Sequence, residues 1–389
     1  MRKYDVVIIG GGVIGSSIAY HLAAAGERSV LVVERDPTYA RASSALSASS
    51  IRQQFSTPTC IRMSQFSFQF MRDIDNHLGV DGQPAELPLL ERGYLYLADA
   101  EHSIALEAVI RVQKANDVAV LRLDTDGLGR RFPWLNCEGV ELGALGMAGE
   151  GWFDGYTLLQ AFRRKARQLG VTYVHDEAVD LIRNAARVQG VRTAAGAEIG
   201  ADVVINAAGP HAAKVAAWAG FTLPVVPERH CIFTFSCPEV LDFMPLVIDP
   251  SGLYVRPEGA IFLAGGPATP VNGPDPFALD VDHAQFEEFI WPALAARIPA
   301  FERIKMTSAW AGHYEMNRFD QNALIGWTPG VEGLMLAAGF SGHGMQHSPA
   351  AGRGVAELIT GGRFETLDLS ELSPERLVRN EPIFELNVI

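Results

Sequence analysis

The first 34 residues carry a pattern of strands and glycines that few folds can accommodate. Residues 5–10 form a short apolar run rich in β-branched side chains, which predicts a buried parallel strand ending in glycine. Residues 13–26 have helical spacing, and residues 29–34 form a second buried strand. Between them, GGGVIG at 10–15 fits the GxGxxG fingerprint that joins a strand to a helix. The pattern predicts a βαβ unit and therefore a parallel α/β domain.

Each glycine of the fingerprint has a separate physical role. Gly10 permits the tight turn, Gly12 lets the backbone approach a pyrophosphate, and Gly15 allows close packing of the helix against the strand. Glu34 ends the second strand about twenty residues on, where its carboxylate can accept hydrogen bonds from ribose hydroxyls. We therefore predict a dinucleotide site. Its residues in this unit are Gly10, Gly12, Val13, Ile14, Gly15, Glu34 and Arg35.

Further features distinguish the two dinucleotides, NAD and FAD, that share this fingerprint. A serine-rich loop, residues 41–50, takes the place of the βα units that normally continue a nicotinamide domain. Two more strand ends carry small residues, at 207–209 and 339–344. Three such sites in one chain predict the longer cofactor, FAD. Its additional predicted contacts are Ser43, Ser44, Ser49, Ser50, Val179, Ala207, Ala208, Gly209, Gly339, Ser341, Gly342, His343, Gly344, Met345 and Gln346.

The composition excludes several classes of protein. Hydrophobic residues make up 48% of the 389 residues and charged residues 20%, whereas disordered chains are poor in the former and rich in the latter. The net charge of −13 argues against nucleic acid or an anionic membrane surface as a partner. No apolar run is long enough to span a bilayer, and the cysteines and histidines lack metal-ligand spacing. We expect a cytoplasmic protein with no signal peptide and no bound metal.

The strand pattern changes beyond about residue 90. Short strands with a few helices dominate there, and buried runs of the parallel type return near 202–206 and 334–338. We therefore predict two interleaved domains. The FAD-binding domain takes residues 1–82, 150–221 and 325–389, and the substrate-binding domain takes residues 83–149 and 222–324.

Several motifs together resemble the D-amino acid oxidase family of FAD enzymes, in the branch of sarcosine oxidase and glycine oxidase. They are the N-terminal fingerprint, IRQQF at 51–55, VINAAG at 204–209, GLYVRPEG at 252–259 and GFSGHG at 339–344. Within this family, the stretches 311–322 and 362–370 are most similar to a FAD-containing assembly factor of mitochondrial respiratory complex I and its bacterial sarcosine-oxidase-like relatives. The resemblance implies a Rossmann-like FAD domain of the glutathione-reductase type, interleaved with an α+β substrate domain on a mostly antiparallel sheet.

The resemblance also implies a reaction. A small amine or amino acid, with or without an N-alkyl group, loses a hydride from its C–N carbon to flavin N5, and water hydrolyses the resulting imine. Arg52 resembles the arginine that binds the substrate carboxylate, a group that suits the donor fork of arginine. The helix near Gly344 would direct N–H groups at negative charge on the flavin. The predicted catalytic and substrate-binding residues are Arg52, Tyr254, Arg256, Tyr314 and Gln346, and the candidate acid–base groups are His230, His313 and His343.

Three positions depart from the sarcosine oxidases of the family. Gly312 stands where a cysteine attaches FAD, so we expect noncovalent FAD. Gln346 stands where a lysine helps to hold the carboxylate, which weakens the expectation of a sarcosine-sized substrate. An apolar residue near Leu263 replaces the lysine that activates oxygen. We therefore expect slow reaction with oxygen, and a protein electron acceptor or partner subunit is a candidate partner.

Other interpretations share these features. A flavin-binding assembly or interaction protein could keep the cofactor with little catalysis. A 2-hydroxy-acid oxidoreductase would use the same flavin and arginine on a C–O bond. From the residues alone, Arg52 could also form a surface salt bridge, and Tyr254 and Arg256 could simply cap the sheet.

Overall fold

The computed structural model describes residues 2–27, 29–185, 187–271 and 274–387. The strands are β1 (Arg2–Ile9), β2 (Val30–Glu34), β3 (Ser50–Ile51), β4 (Leu89–Leu90), β5 (Tyr94–Ala98), β6 (Val120–Asp124), β7 (Leu142–Gly146), β8 (Gly151–Phe153), β9 (Thr172–His175), β10 (Ala178–Asn184), β11 (Arg187–Thr193), β12 (Glu198–Asn206), β13 (Val225–Ser236), β14 (Leu246–Ile248), β15 (Tyr254–Glu258), β16 (Ile261–Gly265), β17 (Lys305–Asn317), β18 (Leu324–Trp327) and β19 (Leu334–Ala338).

The helices lie between these strands in the order of the chain. They are α1 (Val13–Ala24), α2 (Ser43–Leu46), α3 (Pro58–Arg72), α4 (Ile74–Leu78), α5 (Ser103–Ala115), α6 (Thr125–Arg131), α7 (Gly155–Gln168), α8 (Ala212–Trp218), α9 (His283–Gln285), α10 (Trp291–Arg297), α11 (Gly344–Thr360) and α12 (Glu375–Arg379). Short 3-10 or π segments occur at Gly209–His211, Phe286–Ile290, Pro299–Arg303 and Ser370–Leu372.

The first sheet has β1 at its centre. β1 pairs in parallel with β12 and β2, and the parallel array continues through β19 beside β12 and β9 beside β2. β10, β11 and β18 pair antiparallel. The inner parts of these parallel strands, at 6–9, 30–33 and 334–338, are continuous buried apolar runs, as a sheet covered on both faces requires. Helices α1, α7 and α11 pack together over it and bury Ile18, Phe162 and Val355.

The second sheet is mostly antiparallel. Its strand order is β17-β13-β16-β15-β14-β5-β7-β6, and only the β14–β5 pair is parallel. One face carries a phenylalanine-rich cluster that includes Phe233, Phe235 and Phe301. β3, β8 and β4 form a third, small sheet that shares no strand with the other two. The α/β architecture with a mostly antiparallel second sheet confirms the predicted fold class.

The two sheets draw on alternating parts of the chain. The first takes strands from 2–34, 172–206 and 324–338, and the second takes strands from 94–146 and 225–317. We propose that each sheet is the centre of one domain, with the interleaved boundaries predicted from the sequence. No helix in the described ranges is both long and apolar enough to cross a membrane.

Two local predictions are corrected by the structure. In the sequence, the apolar stripe of residues 58–78, with Phe66, Phe70, Ile74 and Leu78, predicts one helix. The helix is instead broken at Asp73, whose φ and ψ of −105° and 25° leave the helical region. The serine-rich loop is not entirely irregular, because residues 43–46 form the single turn α2. That turn brings Leu46 against β17, where its carbonyl accepts a hydrogen bond from Trp310 Nε1 at 2.9 Å.

Candidate functional site

A large cavity lies between the two sheets, at the carboxyl ends of β1, β2 and β12. Its volume is about 590 Å³, within the range of ~300–1,000 Å³ typical of ligand sites. It runs from the glycine turn at 10–12, past the serine-rich loop, to tyrosines of β15 and β17. Open α/β sheets bind their ligands at the carboxyl ends of their parallel strands. The position and size of the cavity therefore suit a long cofactor together with a small substrate.

The turn after β1 depends on two close backbone approaches. Gly10 has φ +99°, and a Cβ at this position would overlap the carbonyl oxygen of Ala207. A Cβ on Gly15 would overlap the carbonyl of Gly10. Gly12 instead faces the cavity as the N-cap of α1, and a Cβ there would meet only Ser44 Oγ within 4 Å. The first turn of α1 therefore faces an open space that suits an anion, and Ser44 Oγ at its edge accepts a hydrogen bond from Val13 N at 3.0 Å.

Glu34 is held rigidly at the edge of this space. Its Oε2 accepts a hydrogen bond from Gly11 N at 2.7 Å, and its Oε1 accepts one from Asp36 N at 2.8 Å. A carboxylate oxygen can accept a second hydrogen bond. Glu34 is therefore placed to take ribose hydroxyls, as predicted from its position at the end of the second strand.

Two buried hydroxyl groups in this half of the cavity have no hydrogen-bond partner among the described residues. They are Tyr39 Oη and Ser43 Oγ. A buried hydroxyl left unpaired costs roughly 1–3 kcal/mol, which a ligand with hydrogen-bonding atoms would relieve. The residues present therefore fit a dinucleotide. The predicted cofactor residues that line the cavity are Gly10, Gly12, Val13, Ile14, Glu34, Arg35, Ser43, Ser44, Ser49, Ser50, Ala207, Ala208, Gly209, Gly342, His343, Gly344, Met345 and Gln346.

Arg52 lies at the other end of the cavity as a buried cation. It is 2% exposed, and no carboxylate of the described residues lies within 4 Å of its guanidinium group. Nη1 donates to the carbonyl of Gln54 at 2.8 Å, and Nη2 donates to the carbonyl of Asn387. The guanidinium lies 4.1 Å from the centre of the Phe55 ring. Burial of a guanidinium without an anion is costly, so this end of the cavity favours an anionic ligand.

Gln346 and His343, on and before the first turn of α11, fix Arg52 from that side. Gln346 Oε1 accepts a hydrogen bond from Arg52 N at 2.9 Å. Arg52 Nη2 lies 3.1 Å from His343 Nε2, which must be the acceptor because a guanidinium can only donate. Burial, together with the charge of Arg52, holds the pKa of His343 well below its usual range. His343 is therefore neutral, with its proton on Nδ1.

Tyrosines form much of the wall near Arg52. Tyr254 on β15, Tyr314 on β17 and Tyr94 on β5 all line the cavity. Burial raises the pKa of Tyr94 and of Tyr314 to about 12 and raises the pKa of Tyr254 well above its usual value. All three phenols therefore stay protonated near neutral pH and can donate hydrogen bonds. Tyr314 also packs against Gly342, where a Cβ would overlap its ring.

Several predicted site residues lie outside the cavity wall. Arg256 is buried on β15, but its Nη2 donates to the carbonyl of Ala48 at 2.8 Å, so it anchors the serine-rich loop. Ser341 Oγ accepts from Asn317 N at 2.9 Å and lies behind the wall. Three more predicted residues also lie outside the wall. Gly15 packs α1 against β1, and Gly339 N donates a hydrogen bond to Glu315 Oε2. The side chain of Val179 is exposed, and its neighbour Ala178 lines the cavity instead.

Two carboxylates near the site, one buried and one half-buried, were missed from the sequence. Glu150 is 0% exposed, and its Oε1 accepts hydrogen bonds from the backbone N–H groups of Gln53 at 2.6 Å and Gln54 at 3.0 Å, next to Arg52. Glu315 lines the cavity and accepts from Gly339 N at 3.0 Å. Burial raises the pKa of each carboxyl to about 7. The turn AGEG at 148–151 before β8 was the only sequence signal for Glu150.

We expect Glu150→Gln to remove a pH dependence of stability. The pKa of Glu150 is raised in the folded state, so the folded chain holds the extra proton between its ordinary value and about 7. Stability due to this group therefore falls as pH rises through that window, by at most about 1.4 kcal/mol per pH unit. The measurement is the free energy of unfolding in urea at pH 5, 6, 7 and 8 for both proteins.

The difference between the two curves isolates Glu150, because the buried histidines are common to both proteins. His21 and His347, whose pKa values are lowered to about 3 by burial, act in the opposite direction, since they make stability rise with pH up to the unfolded value. Glu101→Gln, on an exposed turn, is the matched control and should give no difference. A pH-independent offset between the wild type and Glu150→Gln would contradict the prediction.

Neither metal ligation nor cysteine chemistry is apparent at the site. Over the described ranges, no three His, Cys, Asp or Glu side chains come together as a metal site would require. All four cysteines, Cys60, Cys137, Cys231 and Cys237, are free, and none lines the cavity. Gly312 lines the cavity, and a Cβ there would lie 3.1 Å from Leu46 Cβ, so the serine-rich loop leaves little room for a side chain at this position.

Comparison with known proteins gives matches over nearly the whole chain. The model of the DAO family, described as FAD dependent oxidoreductase, matches residues 5–358. FAD-dependent oxidoreductase domain-containing protein 1 from Xenopus laevis is 43% identical over 427 aligned residues, which cover 100% of this chain and 85% of the relative. Glycine oxidase from Geobacillus kaustophilus is 26% identical, covering 97% of this chain and 98% of that protein. The crystal structure of L-proline dehydrogenase from P. horikoshii matches with a TM-score of 0.86 at 27% identity, covering 98% of this chain and 100% of that chain.

Proposed function

Because this chain belongs to the DAO family of FAD-dependent oxidoreductases, we propose that it oxidises the C–N bond of a small amine or amino acid that bears a carboxylate. FAD supplies the two-electron acceptor that takes a hydride from the carbon beside the nitrogen. The glycine turn and the N-terminus of α1 would hold the pyrophosphate, and the N-terminus of α11, which lines the cavity, would offer N–H groups to negative charge on the reduced flavin. Water then hydrolyses the imine product.

The buried cation Arg52 is the observation that carries this proposal. Its charge has no carboxylate partner among the described residues, and it lines the cavity at the end away from the nucleotide-binding turn. A substrate carboxylate would supply the missing negative charge through charge-assisted hydrogen bonds. Gln346 and His343 fix the arginine, and the protonated phenols of Tyr254 and Tyr314 can orient the rest of the substrate. Distant relatives named glycine oxidase and L-proline dehydrogenase support the same class of substrate.

An anaerobic screen tests the proposed function directly. The FAD-loaded protein is mixed without oxygen with glycine, N-methylglycine, L-proline and other N-alkyl amino acids, and the loss of oxidised flavin absorbance is followed. Reduction by at least one carboxylate-bearing amine is the expected result. The panel also contains 2-hydroxy acids. If only these compounds reduce the flavin, the reaction is oxidation of a C–O bond and not of a C–N bond. Reduction by no compound would favour a flavin-binding assembly or interaction protein with little catalysis.

We further propose that FAD is bound noncovalently. The four cysteines lie away from the cavity, and Gly312 has no side chain to offer. Acid precipitation of the purified protein should therefore release all flavin absorbance into the supernatant. Sarcosine oxidase, whose flavin is attached through cysteine, serves as the control that keeps its colour in the pellet. Colour retained in the pellet of this protein would contradict noncovalent binding.

We also propose that electrons leave the reduced flavin to an acceptor other than oxygen, through a protein partner or partner subunit. Leu263 on β16 is buried in an apolar cluster with Ile232 and Tyr254, so it provides no positive charge to stabilise reduced oxygen. Reoxidation of the photoreduced flavin by air should be slow compared with reoxidation by an artificial electron carrier. Equally fast reoxidation by air would contradict this proposal.

A further inference from the structure

His230 on β13 is a buried histidine with one free ring nitrogen. The residue is 7% exposed and lines the cavity, and its ring stacks on Tyr314 with centroids 3.9 Å apart and an angle of 22° between the planes. Its Nε2 lies 3.3 Å from Glu228 Oε1, whereas its Nδ1 has no hydrogen-bond partner among the described residues. An unpaired buried nitrogen that borders a cavity points to a ligand.

Glu228 determines which nitrogen of His230 carries the proton. Glu228 also forms an ion pair with Arg318, and its pKa is lowered by the hydrogen bond to His230 and by the charge of Arg318, so it is ionised near neutral pH. An ionised carboxylate can only accept hydrogen bonds, so Nε2 is the donor. In the neutral ring, Nδ1 then presents a lone pair. The carboxylate also stabilises the imidazolium that forms when Nδ1 takes up a proton.

The other two candidate histidines do not share this arrangement. Nε2 of His343 already accepts from Arg52, and burial beside that cation disfavours a second charge. His313 also lines the cavity and leaves its Nε2 unpaired, but no carboxylate of the described residues accepts a hydrogen bond from its ring. It lies on the opposite face of β17 from Tyr314, because strand residues alternate, and its ring packs edge-on against Phe277 at 6.1 Å. The pKa of Tyr314, by contrast, is raised by burial, lowered by the charge of Arg52 and raised by the charge of Glu228, so both charged groups lie near its phenol. His230 therefore borders the same space as the carboxylate-binding arginine.

We propose that His230 is a catalytic residue that accepts the proton of the substrate's ammonium group at Nδ1, with Glu228 as its positioning residue. This role rests on the proposed function, since it needs an amine substrate. The N–H bond breaks, its electron pair stays on nitrogen as a lone pair, and the proton forms a bond to Nδ1. That lone pair would then form the C=N bond as the hydrogen on the adjacent carbon leaves with both electrons of the C–H bond, as a hydride, for which oxidised FAD is the acceptor. A positioned general base of this kind contributes about 10²–10⁴-fold to a rate.

The test is the pH dependence of anaerobic flavin reduction, with glycine, N-methylglycine and L-proline as probes. His230→Gln should lower the rate of reduction about 100-fold at pH 7. The loss should shrink towards pH 10, where the free amine reaches the site already deprotonated. Glu228→Gln, whose amide can donate to Nε2 and move the ring proton to Nδ1, should give a smaller loss of the same pH dependence. His283→Gln, on the exposed surface of α9, is the matched control and should behave as wild type.

The groups that face His230 limit what else could produce this profile. They are Glu228 on its own strand, with Arg318 behind it, and Tyr314 stacked on the ring from β17. The Tyr314→Phe variant should therefore keep the pH profile of the wild type even if its rate changes. An equal loss at every pH in His230→Gln, or no loss, would overturn the proposal.

A second measurement does not depend on turnover. In ¹⁵N-histidine NMR spectra of the FAD-loaded protein, the uncharged form of the His230 ring should carry its proton on Nε2, and Glu228→Gln should shift that proton towards Nδ1. A His230 ring with its proton on Nδ1 in the wild type would overturn the proposal even if an amine reduces the flavin. If no probe reduces the flavin, the proposed function fails, and without an amine substrate the role of His230 falls with it. If the wild type is active and His230→Gln loses rate equally at every pH, the proposed function stands and only the proposed role of His230 is overturned.

Discussion

Arg52→Met should lower kcat/KM for carboxylate-bearing amines about 100-fold while leaving the FAD content unchanged. Loss of a charge-assisted pair at a buried site costs roughly 2–4 kcal/mol, and each 1.4 kcal/mol is tenfold in rate or affinity. FAD should remain because the glycine turn, Glu34 and the serine-rich loop are separate from Arg52. The measurements are anaerobic flavin reduction over a range of substrate concentrations and the flavin absorbance per protein.

A comparison of two substrates makes this prediction specific for the carboxylate. Wild type should reduce its flavin far faster with L-proline than with pyrrolidine, which lacks the carboxylate. Arg52→Met should lose most of that preference, because the variant has no guanidinium group to bind the carboxylate of L-proline. Arg111→Met, on an exposed position of α5, is the matched control and should keep the preference. An unchanged ratio in Arg52→Met would show that another group binds the carboxylate.

Asp320→Ala should destabilise the chain by about 3–5 kcal/mol. Asp320 is 0% exposed and pairs with Arg376, from Nε to Oδ2 at 2.7 Å and from Nη2 to Oδ1 at 3.1 Å. Asp320 also accepts from Asn322 N at 3.2 Å and Ile383 N at 3.1 Å. Removing one partner of a buried ion pair leaves an uncompensated charge, which is the costly change. The measurement is the free energy of unfolding in urea.

A double-mutant cycle separates the ion pair from general damage to the fold. Arg376→Met alone leaves Asp320 without its cation and should also be strongly destabilising. The double variant with Asp320→Ala and Arg376→Met buries no unpaired charge, so its loss should be smaller than the sum of the two single losses. Losses that simply add would contradict a coupled ion pair. Flavin content again serves as a check that the cavity is intact.

The elements closest to the glycine fingerprint could be predicted well from the sequence. Residues 6–9 of β1 and 30–33 of β2 are all apolar, and such short runs of Val, Ile and Leu are typical of buried parallel strands. The position of Asp154 just before the helical pattern at 155–169 predicts an N-cap, and Asp154 accepts a hydrogen bond from Thr157 N at 2.9 Å at the start of α7. The break at Asp73 was not predicted, because the apolar stripe continues past it and only the backbone angles reveal it.

The residues around the cavity were harder to predict. Alternation along a strand shows which side chains share a face of the sheet, but not which other parts of the chain that face contacts. Tyr254 and Arg256 share a face of β15 as predicted, yet only Tyr254 reaches the cavity, since Arg256 meets Ala48 and Trp152 beyond its edge. Glu150 was missed because no local pattern distinguishes a buried carboxylate from a solvated one. Its burial depends on the peptide groups of 53–54, which are almost a hundred positions away.

The interleaved order of segments has a consequence during synthesis on the ribosome. The cofactor cavity needs Gly10 from the start of the chain, Ala207 from the middle and Gln346 from near the end. At about 5–20 residues per second, the first strand waits on the order of 20–70 s before α11 can join it. Nascent chains that stop before α11 cannot close the cavity, so the vitamin-derived cofactor has to be captured after translation is almost complete.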